Sequence, residues 1–344
     1  MCTGDRKNCR WSCRIIVCKQ NGYPEGIRKG KDMDKILTVT LNPAVDKTYT
    51  TKCLVAGQVN RMRTVLNIAG GKGVNVTKIL RQYGYGVMAT GLLGGHTGRF
   101  IEEELLRRGA ECGFVQVSGE TRCNMNILAD DGGVTEILES GPQISEQEQA
   151  LFLERYEALL TGCKLAAISG SIARGMADDI YERLIVMAKD KKVPVYLDSS
   201  GESMRKGLPA KPYFIKPNWK ELEYLAGHPI ADREGIIAAA RHLREEGIAK
   251  VVVSMGSEGL LSVTDRGVLF ARARGIEAVN TVGSGDSVVA SYAMSAVLGE
   301  SDEEAILRAC AISAANVTTL ESACIPVETA EQLMNKMVVE KISG

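Results

Sequence analysis

From Ile36 onward, short apolar runs alternate with longer stretches of helical period, and this alternation is what most restricts the fold. Strand-like runs fall at 36–41, 87–93, 165–169, 193–197, 213–216 and 250–254. Helical stretches fall at 73–83, 98–108, 145–161, 178–190, 232–246, 286–298, 302–319 and 329–340. Strands that are apolar on both faces and joined through helices belong in a parallel sheet covered on both sides. The expected fold is therefore α/β, with a mainly parallel central sheet between two helical layers. Two segments break the rhythm. Residues 46–66 are β-prone, and 113–138 reads as strands around the turn Asp130–Asp131–Gly132–Gly133. Together they predict a small β-sheet lid on one edge. A late hairpin is expected at 259–263 and 268–273.

Composition removes several classes of function. Forty-two basic and 42 acidic residues leave no net charge, and no Lys/Arg run stands out, so nucleic acid is not an expected partner. No apolar stretch approaches the roughly 20 residues that span a bilayer, so no membrane partner is expected. The N-terminal region lacks the apolar core of a secretory signal, so the cytoplasm is the expected location. Residues 1–34 are rich in Cys, Lys and Arg, broken by Gly22, Pro24, Gly26 and Gly30, and aperiodic. They read as a disordered N-terminal extension to a domain at 35–344, with Met33 a candidate initiator. Cys2, Cys9, Cys13 and Cys18 crowd this extension without the paired spacing of common zinc sites. Cys53, Cys112, Cys123, Cys163, Cys310 and Cys324 are scattered singly and are expected as reduced thiols.

Two glycine turns carry the strongest chemical signal. Around Asn280–Thr281–Val282–Gly283–Ser284–Gly285–Asp286–Ser287 a short apolar segment, Gly275 to Val282, crosses two glycines into a helical run, the pattern of a strand-to-helix turn. Gly283 and Gly285 let backbone amides turn toward a ligand, and a helix start favours an anion. Asp286 stands beside that anion hole, and a base next to bound negative charge is what phosphoryl transfer to a hydroxyl requires. The alternative is a plain turn in which Asp286 caps the helix. The second turn is Ala69–Gly70–Gly71–Lys72–Gly73–Val74–Asn75. It fails as a Walker A loop at Leu66 and Gly73, and as a dinucleotide fingerprint at Val76. It remains a place where backbone approaches a ligand, with Lys72 and Asn75 at a helix start, or else a simple tight turn.

Other candidates lie at strand ends, where ligands of parallel sheets sit. Asp46, after the first strand, is placed to accept from sugar hydroxyls or else is a solvated turn residue. Arg122, in Gly119–Glu120–Thr121–Arg122, is suited to clamp a phosphate. Asn218 and Glu221, three apart where a helix begins, suit Mg²⁺ held through water, or a helix cap. Val253–Ser254–Met255–Gly256–Ser257–Glu258–Gly259 is a third glycine turn suited to nucleotide phosphates or ribose. His96, His228 and His242 have no metal-like spacing, and no G-x-S-x-G elbow supports a serine hydrolase.

Taken together, these stretches resemble the PfkB, or ribokinase-like, family of carbohydrate kinases from about Ile36 to the C-terminal helix. Gly70–Gly71–Lys72–Gly73–x–Asn75 resembles its first signature and Thr281–Val282–Gly283–Ser284–Gly285–Asp286–Ser287 its second, with Lys216–Pro217–Asn218–x–x–Glu221 between. Thr40–Leu41–Asn42–Pro43–Ala44–Val45–Asp46 and Gly119–Glu120–Thr121–Arg122 resemble the branch of tagatose-6-phosphate kinases and 1-phosphofructokinases. The resemblance implies the ribokinase-like three-layer fold, ATP and Mg²⁺ as cofactors, a sugar phosphate as substrate and a homodimer formed through the lid. It implies Asp286 as base and the amides of Gly283, Ser284 and Gly285 as anion hole. Asp46, Gly70, Gly71, Asn75 and Ser171 would hold the sugar, and Lys72 and Arg122 would face its phosphate. Lys216, Ser254, Gly256, Gly259 and Asn316 would line the ATP site, and Asn218 with Glu221 would organise Mg²⁺. Ser284 replaces a common Ala, and Ser169–Gly170–Ser171–Ile172–Ala173–Arg174–Gly175 replaces the usual G-S-L-P-x-G, adding Arg174 at the sugar end. The closest fit is to tagatose 6-phosphate, with fructose 1-phosphate the alternative and a non-catalytic sugar-phosphate sensor a third reading.

Overall fold

The structure is a computed structural model and describes residues 35–335 and 337–342. The cysteine cluster, Met33 and the expected extension lie outside the described residues. The first half of the chain builds β1 (Lys35–Thr40), β2 (Ala44–Thr51), β3 (Thr64–Gly70), α1 (Lys72–Gln82), β4 (Val87–Gly94), α2 (Gly95–Arg107), β5 (Glu111–Cys112), β6 (Val115–Val117), β7 (Arg122–Ala129), β8 (Val134–Leu138) and α3 (Glu146–Leu160). It continues through β9 (Cys163–Ser169), α4 (Ile180–Asp190), β10 (Val195–Asp198), α5 (Gly201–Gly207), β11 (Phe214–Ile215), α6 (Trp219–Ala226) and α7 (Arg233–Glu245). The last third is β12 (Lys250–Ser254), β13 (Leu260–Thr264), β14 (Gly267–Ala271), α8 (Ser284–Leu298), α9 (Asp302–Asn316), α10 (Val327–Met334) and β15 (Val339–Ile342).

An 11-stranded sheet runs β15-β14-β13-β12-β11-β10-β9-β1-β4-β5, with β6 also on β4. From β12 to β5 every pairing is parallel, whereas β13, β14 and β15 are added antiparallel. Alternate residues of each central strand serve opposite cores. Leu37, Val39, Ala166, Ile168, Val251 and Val253 pack under α3 to α7, while Ile36, Leu165, Ala167 and Val252 pack under α1, α8, α9 and α10. That two-sided burial is why these strands read as unbroken apolar runs. A separate four-stranded sheet, β3-β2-β7-β8, forms the smaller sheet.

Three boundaries depart from expectation. The lid includes 122–138 but not 113–117: Val115 and Val117 are buried in the main core and pair with β4. The helix expected over 329–340 stops at Met334, and the β-branched Val339 opens a strand that covers the exposed edge of β14. The apolar residues between Gly275 and Val282 form no strand. Cys53, Cys112, Cys123, Cys163 and Cys310 are free thiols. Cys324 is disulfide-bonded instead, because spacing along a chain says nothing about which sulfurs meet in space. Among the described residues no helix is long and apolar enough to cross a membrane, and no group of three or more His, Cys, Asp or Glu is placed to hold a metal.

Candidate active site

The ends of β1, β9, β10, β11 and β12 and the starts of α1 and α8 converge at the carboxyl edge of the parallel strands. This is where open α/β sheets hold ligands. α1 can start there because its glycines leave no side chain in the way. A Cβ on Gly73 would stand 2.3 Å from Thr40 Oγ1 and 2.6 Å from the Val39 carbonyl, and one on Gly70 2.0 Å from Asp46 Oδ2. Gly71, at φ +103°, makes the turn itself. α8 starts on Gly283 at φ +83° and is buried on all sides from Asp286 to Ser295. Two of its hydroxyls turn back on the helix: Ser287 donates to the Gly283 carbonyl and Ser291 to that of Ser287.

No side chain caps α8. The capping alternative for Asp286 therefore fails. Its Oδ2 instead accepts a 2.8 Å hydrogen bond from Asn75 Nδ2, joining the two glycine turns across 211 residues of sequence. Burial pushes the Asp286 carboxyl up to about 6, and the Asp198 carboxylate adds to the rise. Lys72, the Asn75 bond and Lys216 oppose it. A group with that value is ionised at neutral pH yet basic enough to take a proton. The helix-start amides are partly used: Ser284 N–H donates back to the Thr281 carbonyl at 3.3 Å. A Cβ on Gly285 would face only the flexible end of Lys216, at 3.1 Å.

Asp198, at the end of β10, ties the cations together. Its Oδ1 takes Lys72 Nζ at 3.3 Å and Lys216 Nζ at 3.4 Å, while Oδ2 is buried without a partner. Burial works against the charge on Lys72, but Asp198, Asp286 and Glu221 outweigh it and hold the amine above its usual range. Lys72 thus faces the Asp286 cluster, not Arg122. The sequence pointed to a strand at 193–197 without asking what ends it. Asp198 could have been found by the same rule that singled out Asp46, a carboxylate at the carboxyl end of a strand.

The sugar-side candidates also meet. Asp46 Oδ1 accepts from Asn124 Nδ2 at 2.9 Å, and burial raises its carboxyl, opposed chiefly by that bond. Asn42 Nδ2 reaches Ser171 Oγ at 3.2 Å. Arg122 donates to the Asn42 carbonyl through Nε and Nη2, and through Nη1 to Asn124 Oδ1 and the Glu139 carbonyl. Its guanidinium therefore braces the lid against the end of β1.

On the nucleotide-side candidates the structural alternatives carry weight. Asn218 and Glu221 form a capping box on α6, each side chain accepting from the other's backbone N–H. Asn316 is buried, with its amide donating to the Val282 carbonyl and accepting from Ala323 N–H, so it shapes the loop before α8. Gly259, at φ +120°, lies where a Cβ would meet the Ala271 carbonyl at 2.3 Å, and its reason is packing. Gly256 opens onto free space, and Ser254 N–H bonds the Pro217 carbonyl, bringing the 216–218 turn beside the end of β12.

The profile of the pfkB family carbohydrate kinases matches residues 39–330. The chain belongs to the pfkB family of carbohydrate kinases. Solved structures of similar fold include a Staphylococcus aureus protein described as a putative phosphofructokinase, with 28% identity and a TM-score of 0.79, covering 90% of this chain and 99% of that one. Another, from Thermotoga maritima and described as a possible 1-phosphofructokinase, has 26% identity and a TM-score of 0.81, covering 90% and 100%. Phosphofructokinase-2 from Escherichia coli shares the fold at 24% identity and a TM-score of 0.84, covering 88% and 99%. In this pfkB kinase the two glycine turns open α1 and α8.

Proposed function

We propose that this carbohydrate kinase transfers the γ-phosphoryl group of ATP to a free hydroxyl of a ketohexose phosphate, converting tagatose 6-phosphate to tagatose 1,6-bisphosphate. The observation that carries the reading is Asp286: a buried carboxylate, oriented by Asn75, at the uncapped start of a buried helix and facing two lysines bound to Asp198. The attacking hydroxyl gives its proton to Asp286. Its oxygen bonds to the γ-phosphorus as the bond from that phosphorus to the bridging β–γ oxygen breaks, and ADP leaves. The open amides at the start of α8, Gly285 first among them, stabilise charge on the transferring group, and Lys216 and Lys72 approach the phosphates. Asp46, Gly70, Gly71, Asn75 and Ser171 hold the sugar. Arg122 faces the sugar's phosphate from the lid. Ser254 and Gly256 border the nucleotide.

A divalent ion fits one part of this arrangement. Asn218 Oδ1 is bound within the capping box, but the Glu221 carboxylate acts on Lys72 and so belongs to the same charge cluster. Glu221 would hold Mg²⁺ through water. The ion would neutralise phosphate charge. The outer lid exposes Val65, Leu66, Val134, Ile137 and Leu138, and this apolar surface supports a homodimer formed through the lid.

The likeness to a possible 1-phosphofructokinase favours fructose 1-phosphate as the second reading. A coupled ADP-release assay across tagatose 6-phosphate, fructose 1-phosphate, fructose 6-phosphate and ribose separates them. The highest kcat/KM is expected on tagatose 6-phosphate. Preference for fructose 1-phosphate would move the assignment to the second reading, and preference for ribose would sink the sugar-phosphate substrate altogether.

A further inference from the structure

Lys78 is the one lysine of α1 that points inward. It lies three residues after Asn75 on the buried face and is 1% exposed. Among the described residues no carboxylate lies within hydrogen-bonding distance of its ammonium. It donates instead to the Ala69 carbonyl at 3.2 Å, the Ser322 carbonyl at 3.1 Å and Asn75 Oδ1 at 3.4 Å. Each acceptor belongs to a different part of the site. Ala69 precedes Gly70, which ends the lid strand β3 beside Asp46. Ser322 precedes Ala323, whose N–H is held by Asn316 and whose backbone packs on Gly283. Asn75 is the donor to Asp286.

An ammonium can only donate, so it accepts no approach from an amide NH₂. With Lys78 behind it, the Asn75 amide has one sensible orientation: oxygen toward Lys78, nitrogen toward Asp286. Without that ammonium the amide oxygen loses its donor, and only the Asp286 carboxylate, an acceptor when ionised, still directs the NH₂, so the bond to Asp286 is held less firmly. We propose that Lys78 is a positioning residue, one that sets the direction of the Asn75 amide and thereby the hydrogen bond that Asp286 receives. The proposal rests on the kinase reading given above only for its kinetic consequence. The orientation itself is a property of the folded chain.

The surroundings decide the sign of the effect. Asp286 is faced by Asp198, Lys72, Asn75 and Lys216, and Lys78 by Arg108, Glu321, Asp46 and Glu104. Losing the Asn75 donor removes one of the influences that favour the ionised carboxyl, so Asp286 must titrate at higher pH in a Lys78→Met variant. The direct readout is ¹³C NMR of aspartate-labelled full-length protein, with Asp286→Asn identifying the resonance. The midpoint is expected to rise by about one unit in Lys78→Met and to return in Lys78→Arg, since one unit corresponds to about 1.4 kcal/mol, the size of one hydrogen bond to a charged group. In ADP release, Lys78→Met should lower kcat at least tenfold, change the KM for ATP less than threefold, and move the acidic limb of kcat/KM upward. The same substitution made on Asn75→Ala should then have little further effect on kcat, because the two residues act in series. If Lys78→Met does not fold, Lys78→Leu, which likewise removes the donor, is read in the same way.

An unmoved Asp286 midpoint, or a Lys78 effect that persists undiminished on Asn75→Ala, would overturn the proposal and leave Lys78 a packing residue. A wild-type protein that phosphorylates none of the four sugars would instead count against the kinase reading, while the NMR midpoint still decides the role of Lys78.

Discussion

The two glycine turns look alike in sequence and differ in what their glycines are for. In the first, before α1, glycine makes room: the missing Cβ atoms of Gly70 and Gly73 would collide with Asp46, Thr40 and the Val39 backbone. In the second, before α8, glycine gives access: beside Gly285 stands only the end of Lys216, and the helix start is left without a side-chain cap. The first turn is built to be packed and the second to be reached. Asn75 and Asp286 join them at 2.8 Å, so the packed turn supplies the orientation that the open one uses.

The largest expected effect breaks the junction itself. Asp286→Asn removes the base, and kcat should fall by about three orders of magnitude or more with substrate KM values nearly unchanged. A variant with kcat within tenfold of wild type would exclude Asp286 as the base. The same carboxylate has a cost in the folded state. Its native pKa is raised to about 6, above the unfolded value, so between about pH 4 and pH 6 the native protein holds the extra proton and loses stability as pH rises. Asp286→Asn should therefore raise the melting temperature near pH 7.5 and leave it almost unchanged near pH 4. In the wild type, kcat/KM should rise with pH through about 6 and then level off.

Next comes the open turn. Gly285→Ala displaces only the Lys216 ammonium and adds a better helix former, so stability should hold within about 1 kcal/mol. Activity should fall roughly 10- to 100-fold through the displaced lysine and crowded amides. Gly73→Ala is the converse. Its Cβ meets backbone, so unfolding in denaturant should show a loss of about 1–3 kcal/mol. Equal stability losses at the two glycines would erase the distinction between them.

Much of this was legible in the sequence, for identifiable reasons. Central strands buried on both faces leave apolar runs, and the order of those strands and of the longer helices between them follows, whereas the short α5 left no such signal. The boundaries that failed had weaker causes. Val115–Val117 is too short for its alternation to say which sheet it joins, and β15 is drawn into strand by the vacant edge of β14, which no local pattern records. At the site, residues in glycine-rich turns could be found because their motifs are contiguous. Asp198 and Lys78 could not be assigned so directly. Asp198 earns its place through Lys72 and Lys216, 126 residues before it and 18 after it, and Lys78 looks from sequence like an ordinary polar break in a helix. At Asn218 and Glu221 one spacing suits both a helix cap and an ion held through water, and only the hydrogen bonds show that the cap is formed.

Helix α8, buried on every side over Asp286–Ser295, has a consequence for how this protein would fail under stress. Its amides can exchange with solvent only when the surrounding core comes apart, whereas β8, exposed along its whole length, needs no such event. Hydrogen exchange should divide the molecule accordingly. Mild heat or denaturant would loosen the grip on the sugar while the base remained in place. Such a protein would first become a poor binder of its substrate, and only on global unfolding a poor catalyst.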